Sequence, residues 1–100
     1  MRNASLAFSP SGECVARYDK VHLFGFRKGD ESYDEAGFIE PGSQLVAVDT
    51  PFGKVALSIC YDLRFPELYR SLVPVDLILV PAAFTETTGR AHWEILLRAR

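Results

Sequence analysis

The sequence predicts an α/β fold with a mixed sheet, and the order of its elements is the reason. In the second half of the chain, a β-prone run at 54–59, a helix at 66–72, a strand at 75–80 and a helix from 92 onward follow one another. This order is typical of layered α/β domains. In the first half, β-prone runs joined by short turns predict antiparallel hairpins, so the sheet is not purely parallel. One hundred residues allow one small domain with a modest core.

Two hairpin-like units are predicted in the first half. Runs at 3–8 and 14–18 flank Ser-Pro-Ser-Gly-Glu, which has turn composition. Cys14 is expected to be a packing residue, because no neighbour in sequence would activate its thiol. The second unit pairs 44–49 with the following run across Thr-Pro-Phe-Gly. Between the units, residues 19–43 lack sustained periodicity and are rich in aromatics, which predicts an ordered, packed loop.

The predicted helix at 66–72 has a defined start. Pro66 suits the first helical position, since its missing N–H has no intrahelical acceptor there, and Glu67 places negative charge near the positive end of the helix dipole. Leu68 and Leu72 lie one turn apart, which predicts one buried face.

Two further elements complete the chain. The run at 75–80 is apolar almost throughout and β-branched at several positions, which predicts a buried strand. Near the end, Trp93, Leu96 and Leu97 fall at helical spacing, and Trp93 is expected to lie in the core. No glycine, asparagine or cap ends this helix before Arg100, so we expect the chain to be cut within it.

Composition and charge argue against several classes of partner. A net charge of −2 without a basic run gives no reason to expect nucleic acid or an anionic membrane. No apolar stretch is long enough to span a bilayer, and the N-terminus lacks the apolar core of a signal peptide, which predicts a cytoplasmic protein. No Cys/His cluster has metal-ligand spacing. Two cysteines, Cys14 and Cys60, are too few for a disulfide framework and are expected to stay reduced.

Cys60 stands where the run at 54–59 meets a sharp turn into the helix at 66–72. A thiol at such a corner lies near backbone N–H groups that have no helical partner, and these groups favour a thiolate and can hold an oxyanion. The position therefore suits a covalent nucleophile. By residue type alone, a cysteine at the end of an apolar strand is more often a buried small hydrophobe. The surrounding motif decides between these two interpretations.

Two motifs carry a resemblance to a known family. They are Arg-Tyr-Asp-Lys-Val-His-Leu-Phe at 17–24 and Ile-Cys-Tyr-Asp-Leu-Arg-Phe-Pro-Glu-Leu at 59–68. Supporting matches are Pro-Gly at 41–42, Val-Pro-Ala-Ala-Phe at 80–84 and Thr-Gly-Arg-Ala-His-Trp-Glu at 88–94. In this order the sequence closely resembles the nitrilase superfamily of carbon–nitrogen hydrolases. Tyr-Asp after the cysteine is more similar to the Nit-type amidase branch, which includes ω-amidases and deaminated-glutathione amidases, than to true nitrilases, which tend to carry Trp-Glu.

The resemblance implies part of an αββα sandwich and a Glu–Lys–Cys triad that needs no metal or organic cofactor. Matched by motif, Cys60 is the nucleophile and Lys20 the triad lysine. A second, supporting glutamate of the family matches Glu35 best, with Glu31 and Glu40 as neighbouring alternatives. These three acids lie between the lysine and the cysteine, as the family requires.

The general-base glutamate of the family lies upstream of the lysine, in a segment that this chain does not contain. The only acid well upstream of Lys20 is Glu13, which lies in a predicted hairpin turn without the family's motif. Residues 1–100 are therefore expected to be an internal part of a carbon–nitrogen hydrolase domain, incomplete at both ends. Pro74 is expected to shorten the helix that follows the nucleophile. The family resemblance also implies a homo-oligomer for the full-length protein.

The implied chemistry is hydrolysis of a small carboxylate-bearing amide through a thioester on Cys60. Lys20 and the backbone N–H of Tyr61 would stabilise the oxyanion, although a lysine without this motif is most often a solvated loop residue. Arg64 has the geometry to bind a substrate carboxylate, or to form an ion pair with a neighbouring acid such as Asp62 or Glu67.

Two alternative interpretations stay open. His22 and His92 allow a Cys–His dyad, although both lie inside matched motifs in which the family needs no histidine base. The other alternative is a non-catalytic, truncated remnant, because the base and part of the sandwich are missing. A sheet without its neighbours exposes strand edges and apolar faces, which promotes aggregation.

Overall fold

The first two strands, β1 (Ala4–Phe8) and β2 (Cys14–Asp19), form an antiparallel hairpin in the computed structural model, which describes all 100 residues. Ala4 pairs with Asp19, and a bulge interrupts the register next to Phe8. The hairpin predicted from the two β-prone runs is therefore confirmed, with boundaries that shift by one residue.

A second hairpin lies inside the segment predicted to be a loop. Strands β3 (Gly25–Lys28) and β4 (Glu31–Asp34) pair antiparallel, so the prediction of a loop over 19–43 is wrong for these residues. Every residue of both strands is exposed, and strands without an inward face produce no alternation of apolar and polar residues. The one local signal was Gly29, which has a φ of 58° and begins a two-residue turn.

The third sheet is mixed, as the sequence predicted. Strand β5 (Val46–Thr50) pairs antiparallel with β6 (Gly53–Leu57), and β7 (Leu77–Leu79) pairs parallel with β6 on its other side. Strand β2 packs against β5, which brings the first hairpin alongside this sheet. The chain crosses from β6 to β7 through the helical segments that follow Cys60.

Strand β7 differs from the buried strand predicted at 75–80. It is three residues long, and the side chains of Leu77 and Leu79 are 53% and 42% exposed. Only Ile78 packs against the core. The strand is apolar as predicted, but β7 is an edge strand and residues 1–100 leave one of its faces uncovered.

Two 3₁₀ helices and a short α-helix lie between the strands along the chain. The 3₁₀ helices span Glu35–Gly37 and Cys60–Arg64, and α1 spans Pro66–Leu72, as predicted. Leu68 is buried and Leu72 half-buried, which confirms the predicted face.

The last helical segment begins earlier than predicted. It comprises α2 (Glu86–Thr88), a π-helical turn (Gly89–Trp93) and α3 (Glu94–Ala99). Thr85 starts it, because its side-chain hydroxyl accepts a hydrogen bond at 3.1 Å from the N–H of Thr88 and so caps the helix. Apolar spacing alone could not reveal this capped first turn.

A small core lies where α1 and the 3₁₀ helix after β6 meet β2 and β6. Its six buried apolar residues are Tyr18, Leu57, Ile59, Leu63, Leu68 and Tyr69. Trp93 is half-buried against this core, with its ring 5.0 Å from that of Phe84. Cys14 is exposed, so the prediction that it fills the core is wrong; it pairs with Phe8, which is itself exposed, at the bulge of the first hairpin.

No helix of the structure has the length and apolar character needed to cross a membrane.

Candidate active site

Cys60 lies at the corner between the third sheet and the helical segment. Its N–H donates a hydrogen bond at 2.9 Å to the carbonyl of Pro81, which continues the parallel pairing beyond the ends of β6 and β7. Cys60 has a φ of 45°, the one positive φ among the non-glycine residues. Such a conformation costs about 1–3 kcal/mol and persists only where the surrounding structure imposes it. The sharp turn predicted at this residue is therefore present in a strained form.

The residue after Cys60 presents a free backbone donor. Tyr61 lies in the first turn of the 3₁₀ helix Cys60–Arg64, where an N–H has no intrahelical acceptor, and it donates no other hydrogen bond. The Tyr61 N–H is thus available next to the thiol, at the position where the sequence predicted an oxyanion donor.

Lys20 and Glu35 form a buried ion pair. The ammonium Nζ of Lys20 lies 2.7 Å from Oε2 of Glu35, and the two side chains are 3% and 6% exposed. Glu35 Oε2 also accepts the N–H of Phe24 at 2.8 Å, and Oε1 accepts the amide of Asn3 at 3.4 Å. A solvated loop lysine is therefore excluded as an account of Lys20.

These contacts set the ionisation of Glu35. Burial alone raises the pKa of a carboxyl, but the hydrogen bonds from Lys20, Phe24 and Asn3 outweigh it, so the pKa of Glu35 lies below its ordinary value. Glu35 is held as a carboxylate, and the pair is neutral overall.

The two neighbouring acids lie elsewhere. Glu40 binds Arg2 at 3.1 Å on the surface. Glu31 is exposed on β4 opposite Lys28 and lies at the rim of the cleft. Of the three candidate acids, Glu35 alone contacts Lys20.

A glycine lets the lysine segment lie close to its neighbour. The N–H of Gly42 donates a hydrogen bond at 2.9 Å to the carbonyl of Lys20. A Cβ at this position would overlap the carbonyl oxygen of Asp19. The Pro41-Gly42 motif therefore has a physical reason, since any side chain here would displace the end of β2.

One open cleft of about 880 Å³ contains Cys60, Lys20 and Glu35. The exposed hairpin β3–β4 forms one wall, and the segment from Pro81 to Thr88 forms the other. The lining residues that contribute polar groups, besides these three, are Asn3, Lys28, Glu31, Ser32, Tyr33, Thr85, Thr87 and Thr88. The structure thus brings together three residues that the sequence separates by up to 40 positions.

Arg64 lies close to Cys60, at the end of the same 3₁₀ helix. Its guanidinium Nη2 is 3.1 Å from Nδ1 of His92, and its Cζ is 5.8 Å from the centre of the Tyr61 ring. Since arginine is only a donor, Nδ1 of His92 accepts. The ion pair expected with a neighbouring acid such as Asp62 is not formed. Arg64 and Cys60 both line a small pocket of about 40 Å³.

Asp62 was missed as a site residue by the sequence reasoning, which considered it only as a partner for Arg64. Its carboxylate is completely buried, although it follows Cys60 by only two positions. It binds the backbone N–H and ring Nδ1 of His22, at 3.1 and 2.9 Å, and the hydroxyl of Tyr18 at 2.6 Å. Neither His22 nor His92 hydrogen-bonds the Cys60 thiol, so the geometry gives no support to a Cys–His dyad.

No group of three or more His, Cys, Asp or Glu side chains is placed to hold a metal ion.

Comparison with known protein families matches residues 1–100 to the carbon–nitrogen hydrolases. The chain belongs to the carbon–nitrogen hydrolase family. A deaminated glutathione amidase from Yersinia enterocolitica is 50% identical over 101 residues, which cover 97% of this chain and 35% of that protein. The Nit-type amidase branch predicted from the Cys-Tyr-Asp motif is therefore confirmed.

Solved structures of the same family share the fold. Saccharomyces cerevisiae Nit3, described as a member of branch 10 of the nitrilase superfamily, superimposes with a TM-score of 0.84 at 34% identity, over 98% of this chain and 34% of that one. A mutant of the amidase from Nesterenkonia sp. AN1 superimposes with a TM-score of 0.77 at 30% identity, over 96% of this chain and 36% of that one. In that structure acrylamide has added to the active-site cysteine. The chain spans about a third of the length of these relatives, so its α/β architecture is part of the nitrilase fold.

Proposed function

We propose that the full-length gene product hydrolyses the C–N bond of a small, carboxylate-bearing amide through a thioester on Cys60. The observation that carries this proposal is the single cleft that the strained Cys60 lines together with the buried Lys20–Glu35 pair. The relatives add support, because one is named a deaminated glutathione amidase and another is an amidase with a covalently modified active-site cysteine.

In the first half of the reaction, a general base takes the proton of the Cys60 thiol while sulfur bonds to the amide carbon. The carbonyl π electrons move to oxygen, which becomes an oxyanion. As the oxyanion collapses, the C–N bond breaks, and the protonated base returns its proton to the leaving nitrogen. Ammonia or an amine leaves, and the acyl group stays on Cys60 as a thioester.

In the second half, water attacks the thioester carbon and gives its proton to the same base. The new oxyanion collapses, the C–S bond breaks and a carboxylic acid leaves. The protonated base returns this proton to the sulfur, which restores the starting thiol and the free base.

Both oxyanions need stabilisation by donors that are already in place. The ammonium of Lys20 supplies charge, and the Tyr61 N–H supplies a backbone donor that no other group occupies. Removing one such donor typically costs about 10²–10³ in rate. Glu35 orients Lys20 and keeps its charge compensated inside the protein, without itself exchanging protons in the cycle.

The general base is proposed to be a glutamate outside residues 1–100. The two buried carboxylates of the site are engaged, since Glu35 binds Lys20 and Asp62 binds Tyr18 and His22. Each holds several donors, which leaves neither carboxylate free to take a proton from the thiol.

Arg64 is proposed to bind the substrate carboxylate. It shares the small pocket beside Cys60, and its present partner is a single ring nitrogen of His92, which a carboxylate would replace with a stronger, bidentate ion pair.

The proposal is tested with the purified full-length gene product and two amides of similar shape, succinamate and butyramide. We expect ammonia release from succinamate, much slower release from butyramide, and no release from either with Cys60→Ala. Intact-mass analysis of a quenched reaction is expected to show an acyl group on Cys60. The matched control is Cys14→Ala, which removes the exposed cysteine and leaves turnover unchanged. Turnover that survives Cys60→Ala would refute the mechanism.

The alternative of a non-catalytic remnant is favoured by the absence of a free base among the site residues. It predicts that the 100-residue chain alone releases no ammonia, and that the gene product around it supplies no additional glutamate to the cleft. Ammonia release by the 100-residue chain that Cys60→Ala abolishes would exclude it.

We also propose that residues 1–100 form part of one carbon–nitrogen hydrolase domain in a cytoplasmic protein that assembles as a homo-oligomer. The net charge of −2 supports a small-molecule substrate over nucleic acid or a membrane surface. Size-exclusion chromatography with light scattering tests the oligomer; a monomeric full-length product would contradict it.

A further inference from the structure

The completely buried Asp62 carboxylate has a contact pattern that the reaction steps above do not use. Its Oδ2 accepts the hydroxyl of Tyr18 at 2.6 Å and the N–H of Ile59 at 2.8 Å. Its Oδ1 accepts the N–H of His22 at 3.1 Å and lies 2.9 Å from Nδ1 of the same residue. A buried carboxylate is expensive unless every lone pair is satisfied, and here four donors meet it.

One of these donors belongs to the turn that carries the nucleophile. Ile59 immediately precedes Cys60, and Asp62 follows it by two positions, so the hydrogen bond between them closes the turn around the strained residue. This closure is one of the constraints that keep the φ of Cys60 positive.

The other donors belong to the segment that carries the lysine. Tyr18 and His22 flank Lys20 at two positions on either side. The Tyr18 hydroxyl also accepts the N–H of Val21 at 3.1 Å, and the His22 ring stacks on Phe65 at 3.7 Å. Asp62 therefore accepts hydrogen bonds from residues on both sides of Lys20.

We propose that Asp62 is a positioning residue that fixes Lys20 and Cys60 relative to each other, with Tyr18 as its principal donor; this rests on the function proposed above. Lys20 and Cys60 come from elements that are far apart in sequence, and no hydrogen bond joins them directly. The Asp62 carboxylate joins the two segments without contacting the substrate cleft. A displacement of about 1 Å between catalytic groups can lower a rate about a hundredfold, so such a link matters for the reaction.

The structure offers a matched pair of variants. Tyr18 and Tyr69 are both buried in the core, and each uses its hydroxyl in one buried hydrogen bond as donor, from Tyr18 to Asp62 and from Tyr69 to Ser58 at 3.0 Å. Only the Tyr18 bond connects to the lysine segment. Tyr18→Phe and Tyr69→Phe thus remove the same group from the same core. Asp62→Asn is a poorer variant, because its NH₂ group would face buried donors.

The experiment uses the full-length gene product with succinamate. We expect Tyr18→Phe to lower kcat about tenfold or more while KM changes less than about threefold, because a positioning loss acts in the transition state. Tyr69→Phe is expected to change kcat by less than about twofold. In a Lys20→Ala background, Tyr18→Phe is expected to add less than about twofold, since two groups that act as a unit are not additive.

A second readout does not depend on amide turnover. The rate at which iodoacetamide alkylates Cys60 is followed by peptide mass spectrometry, which separates it from the exposed Cys14. Lys20→Ala and Tyr18→Phe are expected to change the rate of this alkylation in the same direction, because each alters how Lys20 is held relative to Cys60, and Tyr69→Phe is expected to leave the rate unchanged.

The outcomes are distinguishable. If Cys60 of the wild-type protein is alkylated but the protein releases no ammonia, the proposed function is refuted. The positioning role is then decided by the alkylation rates of the variants alone. Equal effects of Tyr18→Phe and Tyr69→Phe in both readouts overturn the positioning role. So do independent, multiplying losses from Tyr18→Phe and Lys20→Ala.

Discussion

The interior around the cleft and the outer edge of the third sheet are built in opposite ways. Around the cleft, charged groups such as Lys20, Glu35 and Asp62 are buried, and no buried side-chain polar atom lacks a hydrogen-bond partner. At the edge, Leu77 and Leu79 in β7 are 53% and 42% exposed. Residues 1–100 therefore satisfy the hydrogen bonds of their buried polar groups by themselves, whereas they leave the apolar face at the edge of this sheet uncovered.

The largest effect on stability is expected when one partner of the buried ion pair in the cleft is removed. Glu35→Gln leaves the buried ammonium of Lys20 without a countercharge, and we expect a loss of about 3–5 kcal/mol in the free energy of unfolding of the full-length product. The matched control is Glu86→Gln, since Glu86 pairs with Arg90 on the surface and should contribute less than about 0.5 kcal/mol. Urea denaturation measures the free energy of unfolding of both variants. Similar losses would show that burial of the Lys20–Glu35 pair does not add to its contribution to stability.

The next largest effect tests the cleft through chemistry. Lys20→Ala removes the oxyanion donor proposed above, and we expect kcat/KM for succinamate to fall by about 10²–10³. Lys54→Ala changes an exposed lysine of β6 and should leave kcat/KM unchanged. A Lys20→Ala enzyme with wild-type kinetics would contradict the role given to this residue.

The pH dependence of stability also reports on the buried Glu35 carboxylate. Because the pKa of Glu35 is lower in the folded state than its ordinary value of 4.5, the stability that its carboxylate contributes is fully present above about pH 4.5. It is lost as the pH falls through the folded-state pKa. Unfolding free energies measured between pH 3 and 7 are expected to fall less steeply with acid for Glu35→Gln than for the wild type. Parallel curves would mean that Glu35 titrates alike in the two states.

The smallest effect is expected at the apolar edge. In the 100-residue chain, Leu77→Thr should change the free energy of unfolding by less than about 0.5 kcal/mol, because the side chain is already half in water. It should also lower the binding of a hydrophobic dye such as ANS. Leu57→Ala, in the core, should cost about 2–5 kcal/mol in the same assay. Equal losses would show that the edge is covered.

The sequence predicted those strands and helix boundaries that depend on neighbouring residues in the chain. Apolar alternation and turn composition located β1, β2, β5 and β6, and Pro66 marked the start of α1. It could not report β3 and β4, whose residues are all exposed, nor the exposure of β7, which depends on what packs beside it.

The sequence predicted those site residues that lie in motifs of the family. The family resemblance assigned Lys20, Glu35 and Cys60, and the structure places all three in one cleft, while their catalytic roles stay predictions. The Asp62 network escaped notice because Tyr18 and Asp62 lie 44 positions apart. Only the folded chain shows that an acid beside the nucleophile binds the segment of the lysine.

The positive φ of Cys60 has a consequence for how this residue can be exchanged. Only glycine adopts that conformation without steric penalty, so Cys60→Gly should be more stable than Cys60→Ala by about 1 kcal/mol, although both lack the thiol. A lineage released from selection for hydrolysis would therefore gain stability by drifting to glycine at this corner. In the function proposed above, the cysteine at this corner serves the reaction against the conformational preference of its own backbone.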